Sequence, residues 1–279
     1  MRRQLLTTLW FTTLSIVSYA ATFMQVKTTD GKIVKYNVEG VKEVTFVTDT
    51  TSSDRAYVDL GLPSGTLWAT CNIGATKPEE FGDYFAWGET ETKEIYNWST
   101  YKYAKANEEG YFDSLTKYNF GEHSEGAIDS LSTLLPEDDV ATVNWGSEWR
   151  MPTNDEQREL REECYMVWTN SYNGSDVSGV IFYKAKNSDD KGIYITCYET
   201  PSSDYSTLFD AHVFLPAAGR IVDSFVGNVG YDGLYWSSSL NDGYELYARG
   251  LDFFDTKVYW EFNRHRCEGF PVRAVRSQK

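Results

Sequence analysis

The sequence has little of what metal-dependent and redox proteins use. Its four cysteines form no C-x-x-C pair, and its histidines, His123, His212 and His265, are scattered without an H-E-x-x-H motif. A zinc ribbon, a thioredoxin-like site and a zincin-type centre are therefore not indicated. The acidic run at 137–139 lacks the D-x-D-x-D spacing of a calcium loop, and we interpret it as a solvated loop. The sequence predicts no metal and no cofactor.

Positive charge is also scarce. The chain carries 26 lysine and arginine residues against 41 aspartate and glutamate residues, a formal net charge of -15. Such a chain repels phosphate backbones, so we expect no nucleic-acid partner. No long apolar run follows residue 20, which predicts that the mature chain has no membrane span.

The first twenty residues have the pattern of an export signal. Arg2 and Arg3 precede an apolar stretch at 5–17, and the S-Y-A sequence at 18–20 ends in small residues that signal peptidase prefers. The stretch is short and rich in threonine, which disfavours a membrane anchor. We expect residues 1–20 to be removed, which changes the formal charge from -15 to -17 because two arginines are lost. The predicted location is the cell envelope or the medium.

The next segment, residues 21–47, is predicted to form a small β module. Its alternating apolar residues and the Asp30-Gly31 hairpin signal indicate three short strands, at Phe23–Lys27, Ile33–Tyr36 and Val41–Phe46. The polar run at 48–55 lacks apolar anchors, and we interpret it as a linker.

Residues 56–279 are long enough for one sizeable core. The pattern predicts an α+β domain with antiparallel sheets, few helices and long irregular loops. Strands bounded by turn residues are predicted at Tyr57–Leu62, Leu67–Cys71, Val180–Lys184, Gly192–Cys197, His212–Pro216, Leu234–Ser239, Leu246–Phe254, Val258–Arg264 and Phe270–Val275.

The strongest local signal is the stretch W-G-S-E-W-R-M-P-T-N-D-E-Q-R-E-L at 145–160. Thr153 and Glu156 form a T-x-x-E capping box, which starts a helix. The spacing of Leu160, Cys164 and Val167 puts them on one buried face and extends the predicted helix to about residue 168.

Six sequence blocks, taken in order, resemble the major paralogous domain (FISUMP) of secreted and surface proteins of gut anaerobes. The resemblance covers about residues 56–276, and its blocks are D-L-G-L-P-S-G-T-L-W-A-T-C-N-I-G-A-T at 59–76, G-D-Y-F-A-W-G-E at 82–89, W-G-S-E-W-R-M-P-T at 145–153, F-L-P-A-A-G at 214–219, Y-W-S-S-S at 235–239 and V-R-A-V at 272–275. That family is similar to the C-type-lectin-like fold, which also serves formylglycine-generating enzymes and the variable receptor-binding proteins of retroelements. The resemblance implies two short sheets below a loop-dominated ligand face.

Two activities of related folds are not expected here. The tripeptides E-P-N, Q-P-D and W-N-D are absent, so calcium-mediated sugar binding is not indicated. A formylglycine-generating oxidase needs two reactive cysteines close in sequence to hold copper, whereas Cys197 and Cys267 are far apart. We therefore expect no enzyme activity.

The cysteines Cys71, Cys164, Cys197 and Cys267 permit two disulfides in an exported protein, and their number leaves three connectivities open. The resemblance favours pairing Cys71 with Cys164, since both fall in blocks where relatives carry cysteine. Cys197 would then pair with Cys267. Free buried thiols are the alternative for either pair.

We predict a ligand face around the strand that starts at Val258. Val258, Trp260 and Phe262 alternate with a polar row and are predicted to face the core. In the receptor-binding relatives of the fold that the chain resembles, the equivalent surface carries the ligand contacts. We therefore predict that a glycan or protein ligand contacts Tyr231, Asp232, Asn241, Asp242, Tyr244, Tyr259, Glu261, Asn263 and His265. A solvated strand edge is the alternative.

The tryptophans of the sequence blocks are predicted to be structural. We expect Trp145, Trp149 and Trp236 in the core, and we expect Arg150 and Arg273 to bind backbone carbonyls or buried acids. The predicted function is non-catalytic recognition, as in an adhesin. A structural subunit of a surface assembly is the alternative, and a formylglycine-generating-type oxidase comes third.

Overall fold

The computed structural model describes residues 23–27, 33–37, 55–109 and 112–278. The chain divides into two compact units, residues 1–50 and 51–279. The predicted signal peptide at 1–20, the predicted strand at 41–46 and the predicted linker apart from Arg55 lie outside the described residues.

The first unit contains a hairpin of two antiparallel strands, β1 (Phe23–Lys27) and β2 (Ile33–Asn37). Phe23 lies opposite Asn37 and Lys27 opposite Ile33. The two strands predicted here are confirmed.

The second unit consists of small sheets, few helices and long loops, as predicted. Its helices are α1 (Val140–Trp145) and α2 (Asn154–Glu163), with short 3-10 helices at Pro136–Asp138, Tyr172–Gly174 and Ser188–Asp190. Its strands are β3 (Tyr57–Asp59), β4 (Thr66–Ala69), β5 (Ala104–Ala106), β6 (Phe112–Leu115), β7 (Glu125–Gly126), β8 (Cys164–Thr169), β9 (Gly179–Lys184), β10 (Tyr194–Ile195), β11 (His212–Pro216), β12 (Arg220–Val222), β13 (Phe225–Gly227), β14 (Gly233–Leu240), β15 (Tyr247–Phe253), β16 (Val258–His265) and β17 (Val275–Ser277).

Antiparallel pairing dominates the described sheets. An antiparallel sheet has the order β14-β15-β16, so β16 is an edge strand. A mixed sheet has the order β10-β8-β9-β11, with β10 parallel to β8. Strands β17, β4 and β3 form a third sheet that joins the two ends of the unit. Smaller sheets are β5-β6-β7 and β12-β13.

Helix α2 begins at the predicted capping box. The Thr153 hydroxyl accepts the Glu156 N–H at 3.2 Å, and the Glu156 carboxylate accepts the Thr153 N–H at 2.8 Å. Arg150 adds two hydrogen bonds to the same carboxylate, at 2.5 and 2.6 Å. This confirms the helix start and the predicted role of Arg150.

The predicted end of that helix is wrong. Helix α2 ends at Glu163, and residues 164–169 form β8, which lies between β9 and β10. The sequence C-Y-M-V-W-T of β8 is almost entirely buried. A short apolar run rich in β-branched and aromatic residues suits a strand covered on both faces, and the pairing with β9 decides the outcome.

The predicted core role of the block tryptophans is confirmed. Trp145, Trp149 and Trp236 are buried, and they share one core with Trp87. The Trp236 indole N–H donates to the Phe85 carbonyl at 2.8 Å, which satisfies its only polar atom. A second core lies around Trp68, Leu160, Phe182 and Phe253, between α2 and the sheets.

Arg273 has the predicted structural role. It is buried and donates to the carbonyls of Ala69 and Thr70 at 3.1 and 2.9 Å, and to the Asn72 side chain at 2.8 Å. These carbonyls lie at the end of β4. The guanidinium therefore supplies hydrogen bonds where the sheet pairing stops.

The predicted disulfides are wrong, because all four cysteines are free thiols. Cys164 is buried in the second core and Cys197 packs against that core, whereas Cys267 is buried in the first. The Cys197–Cys267 pair is thus divided between two cores. Cys71 lies 3.6 Å from the Thr70 hydroxyl at the end of β4, outside the core that holds Cys164.

Candidate functional site

Most of the predicted ligand-contact residues lie together at one end of the β14-β15-β16 sheet. The loop between β14 and β15 contributes three of them, and the second half of β16 contributes the others. Side chains from β15 that the sequence did not indicate complete the surface. We call this surface the polar face, and it consists of Asn241, Asp242, Tyr244, Tyr247, Arg249, Glu261, Asn263 and His265.

Hydrogen bonds hold the polar part of this face in place. The Asn241 amide donates to Asn263 Oδ1 at 2.6 Å. Arg249 lies directly opposite Asn263 in the β15–β16 ladder. It donates to the Asp242 carboxylate and has a nitrogen 4.0 Å from Glu261 Oε1. Amide, guanidinium and carboxylate groups therefore alternate across a short distance.

A row of rings continues the face. Tyr247 and His265 are opposite each other in the ladder, and their rings stack with centroids 4.5 Å apart. The centroid of the Tyr244 ring lies 5.1 Å from that of Tyr247 and 4.0 Å from that of His123. Trp98 meets His265 edge to face at 5.7 Å. Such rings can stack on the apolar side of a sugar or on a protein side chain.

The charges of the face follow from its contacts. The hydrogen bond from Arg249 lowers the pKa of Asp242, so this carboxyl is ionised at neutral pH. Burial, with a contribution from Arg264, lowers the pKa of His265, whose imidazole is therefore neutral. Behind the rings, burial raises the pKa of Glu245, but hydrogen bonds from His123 outweigh it and leave the pKa below its usual value.

A β-bulge separates Tyr259 from the polar face. Asn263 pairs with Arg249 and Tyr259 with Asp252, so four steps along β16 match three along β15. Successive side chains in a strand point to opposite faces, and an extra residue reverses that order. Tyr259 thus shares a face with Asp252, and the predicted single row of Tyr259 and Asn263 is wrong. The predicted core row is broken in the same way, since Val258 and Trp260 pack with the second core and Phe262 packs against the first.

Tyr231 and Asp232 belong to a different group. Tyr231 is exposed on the loop before β14, and the Asp232 carboxylate accepts from the Asn228 amide at 2.5 Å. Asp232 lies close enough to Asp252 and Arg264 to affect their charge states, and Arg220 lies close enough to affect the charge state of Asp232. We call Arg220, Asp232, Asp252, Arg264 and Glu268 the charge cluster.

The charge cluster contains buried polar atoms without hydrogen-bond partners among the described residues. They are Asp252 Oδ1, Arg264 Nε and Glu268 Oε2, although Glu268 Oε2 lies 3.9 Å from Arg220. Burial, together with the charge of Asp232, raises the pKa of Asp252 to about 7. Burial also raises the pKa of Glu268 and lowers that of Arg264. Each shift favours the neutral form, as desolvation requires.

Sequence reasoning missed Arg249, Tyr247, His123 and Asp252. Arg249 and Tyr247 lie in the predicted strand Leu246–Phe254, and its alternation puts both on one face. Only the pairing of this strand with β16 shows that they belong to the polar face. His123 lies far away in sequence and gave no signal. Asp252 had one available signal, because it is an acid inside the apolar strand segment G-L-D-F-F.

No group of three or more histidine, cysteine, aspartate or glutamate side chains in the described residues could hold a metal ion. Likewise, none of the helices described is long and apolar enough to cross a membrane.

Comparison with known proteins also gave no match, whether to protein-family models, curated proteins or solved structures. The polar face and the charge cluster are therefore the features from which a function can be proposed.

Proposed function

We propose that this chain is an exported, non-catalytic binding protein of the major paralogous domain family, with a C-type-lectin-like fold. The polar face recognises its ligand, which is a glycan or a protein. The observation that carries this proposal is a pair of adjacent hydrogen bonds beside a row of rings. One joins Asn241 to Asn263, and the other joins Arg249 to Asp242.

The burial of the sequence blocks supports the family part of the proposal. Trp68, Trp87, Trp149 and Trp236, which come from four of the six blocks, are fully buried. Residues that hold a scaffold together recur in a family whatever its members bind. Their location therefore fits blocks that define an architecture, with recognition left to loops and strand edges.

The chemistry of the polar face suits hydroxyl-rich or polar ligands. Asn263 and Glu261 are exposed and can donate or accept hydrogen bonds, whereas Tyr244 presents a ring. A small number of precisely placed polar groups beside an aromatic surface is typical of sites that recognise polar ligands. The neutral His265 ring contributes a stacking surface without adding charge.

An array screen with the full-length protein tests the proposal. We expect binding to a glycan or a protein, and we expect a Tyr244→Ala, Asn263→Ala, His265→Ala triple variant to lose it. Tyr198→Ala is the matched control, because Tyr198 is an exposed tyrosine outside the polar face. Circular dichroism confirms that each variant is folded. A folded triple variant with unchanged binding would exclude the polar face, and size-exclusion chromatography that shows polymers would favour a structural subunit.

A further inference from the structure

A cavity of about 580 Å³ lies at the edge of the β14-β15-β16 sheet, beside the bulge in β16. This volume is within the range of small-molecule sites. Helix α2 contributes Arg161 and Glu162 to its wall. Four aromatic side chains line it, from the β15–β16 hairpin and β16: Phe254, Tyr259, Trp260 and Phe262.

Asp252 lines this aromatic cavity and is its distinctive group. Its exposed fraction is 1%, and its Oδ1 has no hydrogen-bond partner among the described residues. A buried carboxylate in this state costs free energy, because the protein has not replaced the hydrogen bonds that water would make. A ligand that offers a positive charge or a donor would recover that free energy.

None of the described arginines donates a hydrogen bond to Asp252 Oδ1. Arg220 lies 3.9 Å from Glu268, and the Arg264 guanidinium lies over the Phe262 ring at 4.0 Å. Arg161, at the cavity wall, donates to the backbone carbonyls of Val258 and Gly192 at 3.3 and 2.8 Å.

The rest of the cavity also favours a cation. The rim carries the carboxylates of Glu162 and Glu261, whose side chains are more than half exposed. Two of its four rings are already covered by guanidinium groups, Trp260 by Arg158 at 5.4 Å and Phe262 by Arg264, which leaves Phe254 and Tyr259 for a ligand. Aromatic rings around a carboxylate are the arrangement that binds organic ammonium groups, through cation–π attraction and ion pairing.

We propose that this cavity binds an organic cation, an ammonium group on an apolar body, with Asp252 as its counter-ion and Phe254 and Tyr259 as its walls. The site shares Glu261 with the polar face but no other residue of that face, and the proposal stands whether or not that face binds a ligand. The cavity binds a different chemical class of ligand, since the polar face suits ligands with hydroxyl and amide groups.

Binding should depend on pH through Asp252. The pKa of about 7 means that the carboxyl ionises between pH 6 and pH 8. Asp232, Arg220 and Arg264 face it within the charge cluster, and Arg161, Glu162 and Glu261 line the cavity. A permanently charged ligand prefers the ionised form, so its affinity should rise about tenfold from pH 6 to pH 8.

Isothermal titration calorimetry with the full-length protein tests the proposal. The probe is benzyltrimethylammonium, whose charge does not change with pH, and benzyl alcohol is the neutral comparison. We expect the cation to bind at pH 8 at least tenfold more tightly than the alcohol. Asp252→Asn should weaken the cation at least tenfold and remove the pH dependence, whereas Asp113→Asn, an exposed acid outside the cavity, should change neither.

Several outcomes would overturn the proposal. Equal affinity for the two probes would mean that the cavity is only apolar, and no binding of the cation would mean that it is no site for cations. Unchanged affinity in a folded Asp252→Asn protein would exclude Asp252 as counter-ion, and if that variant did not fold, unchanged affinity in Tyr259→Ala, a change at a partly exposed wall residue, would exclude the cavity. Failure of the array screen would leave these results unaffected, so the two proposals fail separately.

Discussion

The Asn241 amide donates to Asn263 Oδ1 at 2.6 Å and so joins the β14–β15 loop to the edge strand β16. Asn241 also accepts the Gly243 N–H at 2.8 Å through its own side-chain oxygen. One side chain therefore fixes the start of the loop and its position against the sheet. These bonds order the polar face without a ligand, which would lower the entropy cost of the proposed recognition.

Asn241→Ala should loosen this loop without unfolding the protein. It removes two partly exposed hydrogen bonds, so we expect a loss of stability of about 1–2 kcal/mol. Hydrogen–deuterium exchange should become faster at residues 242–246. Asn263→Ala, which removes only the bond to β16, should have a smaller effect. Unchanged exchange in Asn241→Ala would show that other contacts order the loop.

Asp252→Asn should stabilise the protein at high pH. The folded-state pKa of about 7 lies above the ordinary value of 3.8, so folding favours the protonated form. The contribution of protonated Asp252 to the free energy of unfolding is fully present below about pH 4. It is lost as the pH rises through 7, which lowers the free energy of unfolding by up to about 4 kcal/mol. Asparagine avoids this loss because it does not ionise.

Thermal melts at pH 5 and pH 8 check this prediction. The difference in melting temperature between Asp252→Asn and the unmodified protein should be larger at pH 8. Asp113→Asn serves as the control, since Asp113 is exposed. Equal effects at both pH values would mean that the carboxyl titrates normally in the folded protein.

Glu156→Gln should destabilise the protein at neutral pH by about 2–3 kcal/mol, because it leaves the guanidinium of Arg150 without its charged partner. Burial raises the pKa of Glu156, but hydrogen bonds from Arg150 and Thr66 outweigh it and hold the pKa below its usual value. The stabilisation is thus present above the unfolded-state pKa and is lost as the pH falls.

Urea unfolding at pH 7 and pH 3 measures this effect, which should shrink at pH 3. Glu163→Gln at the end of the same helix is the control. Its partner is the surface residue Lys191, at 2.6 Å, so its loss should cost at most about 1 kcal/mol. A similar cost for both variants would contradict the role assigned to Glu156.

Thiol titration of the denatured protein should give four free cysteines for each chain. Under native conditions Cys164 and Cys267 should react slowest, because both are buried and burial raises their pKa values, that of Cys267 to about 12. Half-buried Cys71 and Cys197 should react first. A titration that found only two thiols, or none, would show that disulfides are present and would contradict the structure.

Local signals in the sequence predicted local structure well. The T-x-x-E box predicted the start of α2, and the alternation between turn signals predicted β11 with the same bounds, His212–Pro216. The core positions of Trp145, Trp149 and Trp236, which the resemblance implied, are also confirmed. These features depend on residues close in sequence or on strong apolar burial, which a single chain reveals directly.

Features that depend on pairing between strands were missed or misplaced. The end of α2 depends on the pairing of β8 with β9, since the apolar spacing of Cys164 and Val167 fits a helix or a strand. The position of Tyr259 depends on the bulge in β16, which only the register against β15 defines. The predicted pairing of the cysteines depended on a resemblance. It failed because Cys197 packs against the second core and Cys267 is buried in the first, while Cys71 lies outside the core that holds Cys164.

The same bulge has a consequence for how copies of this protein meet. Strand β16 has eight residues and lies at an open edge, where unpaired N–H and C=O groups could pair with a second molecule. The irregular step breaks the even spacing that such pairing needs, and the exposed Glu261 adds repulsion between identical chains. The protein can therefore carry an aromatic-rich sheet with an open edge and still resist growth into fibres.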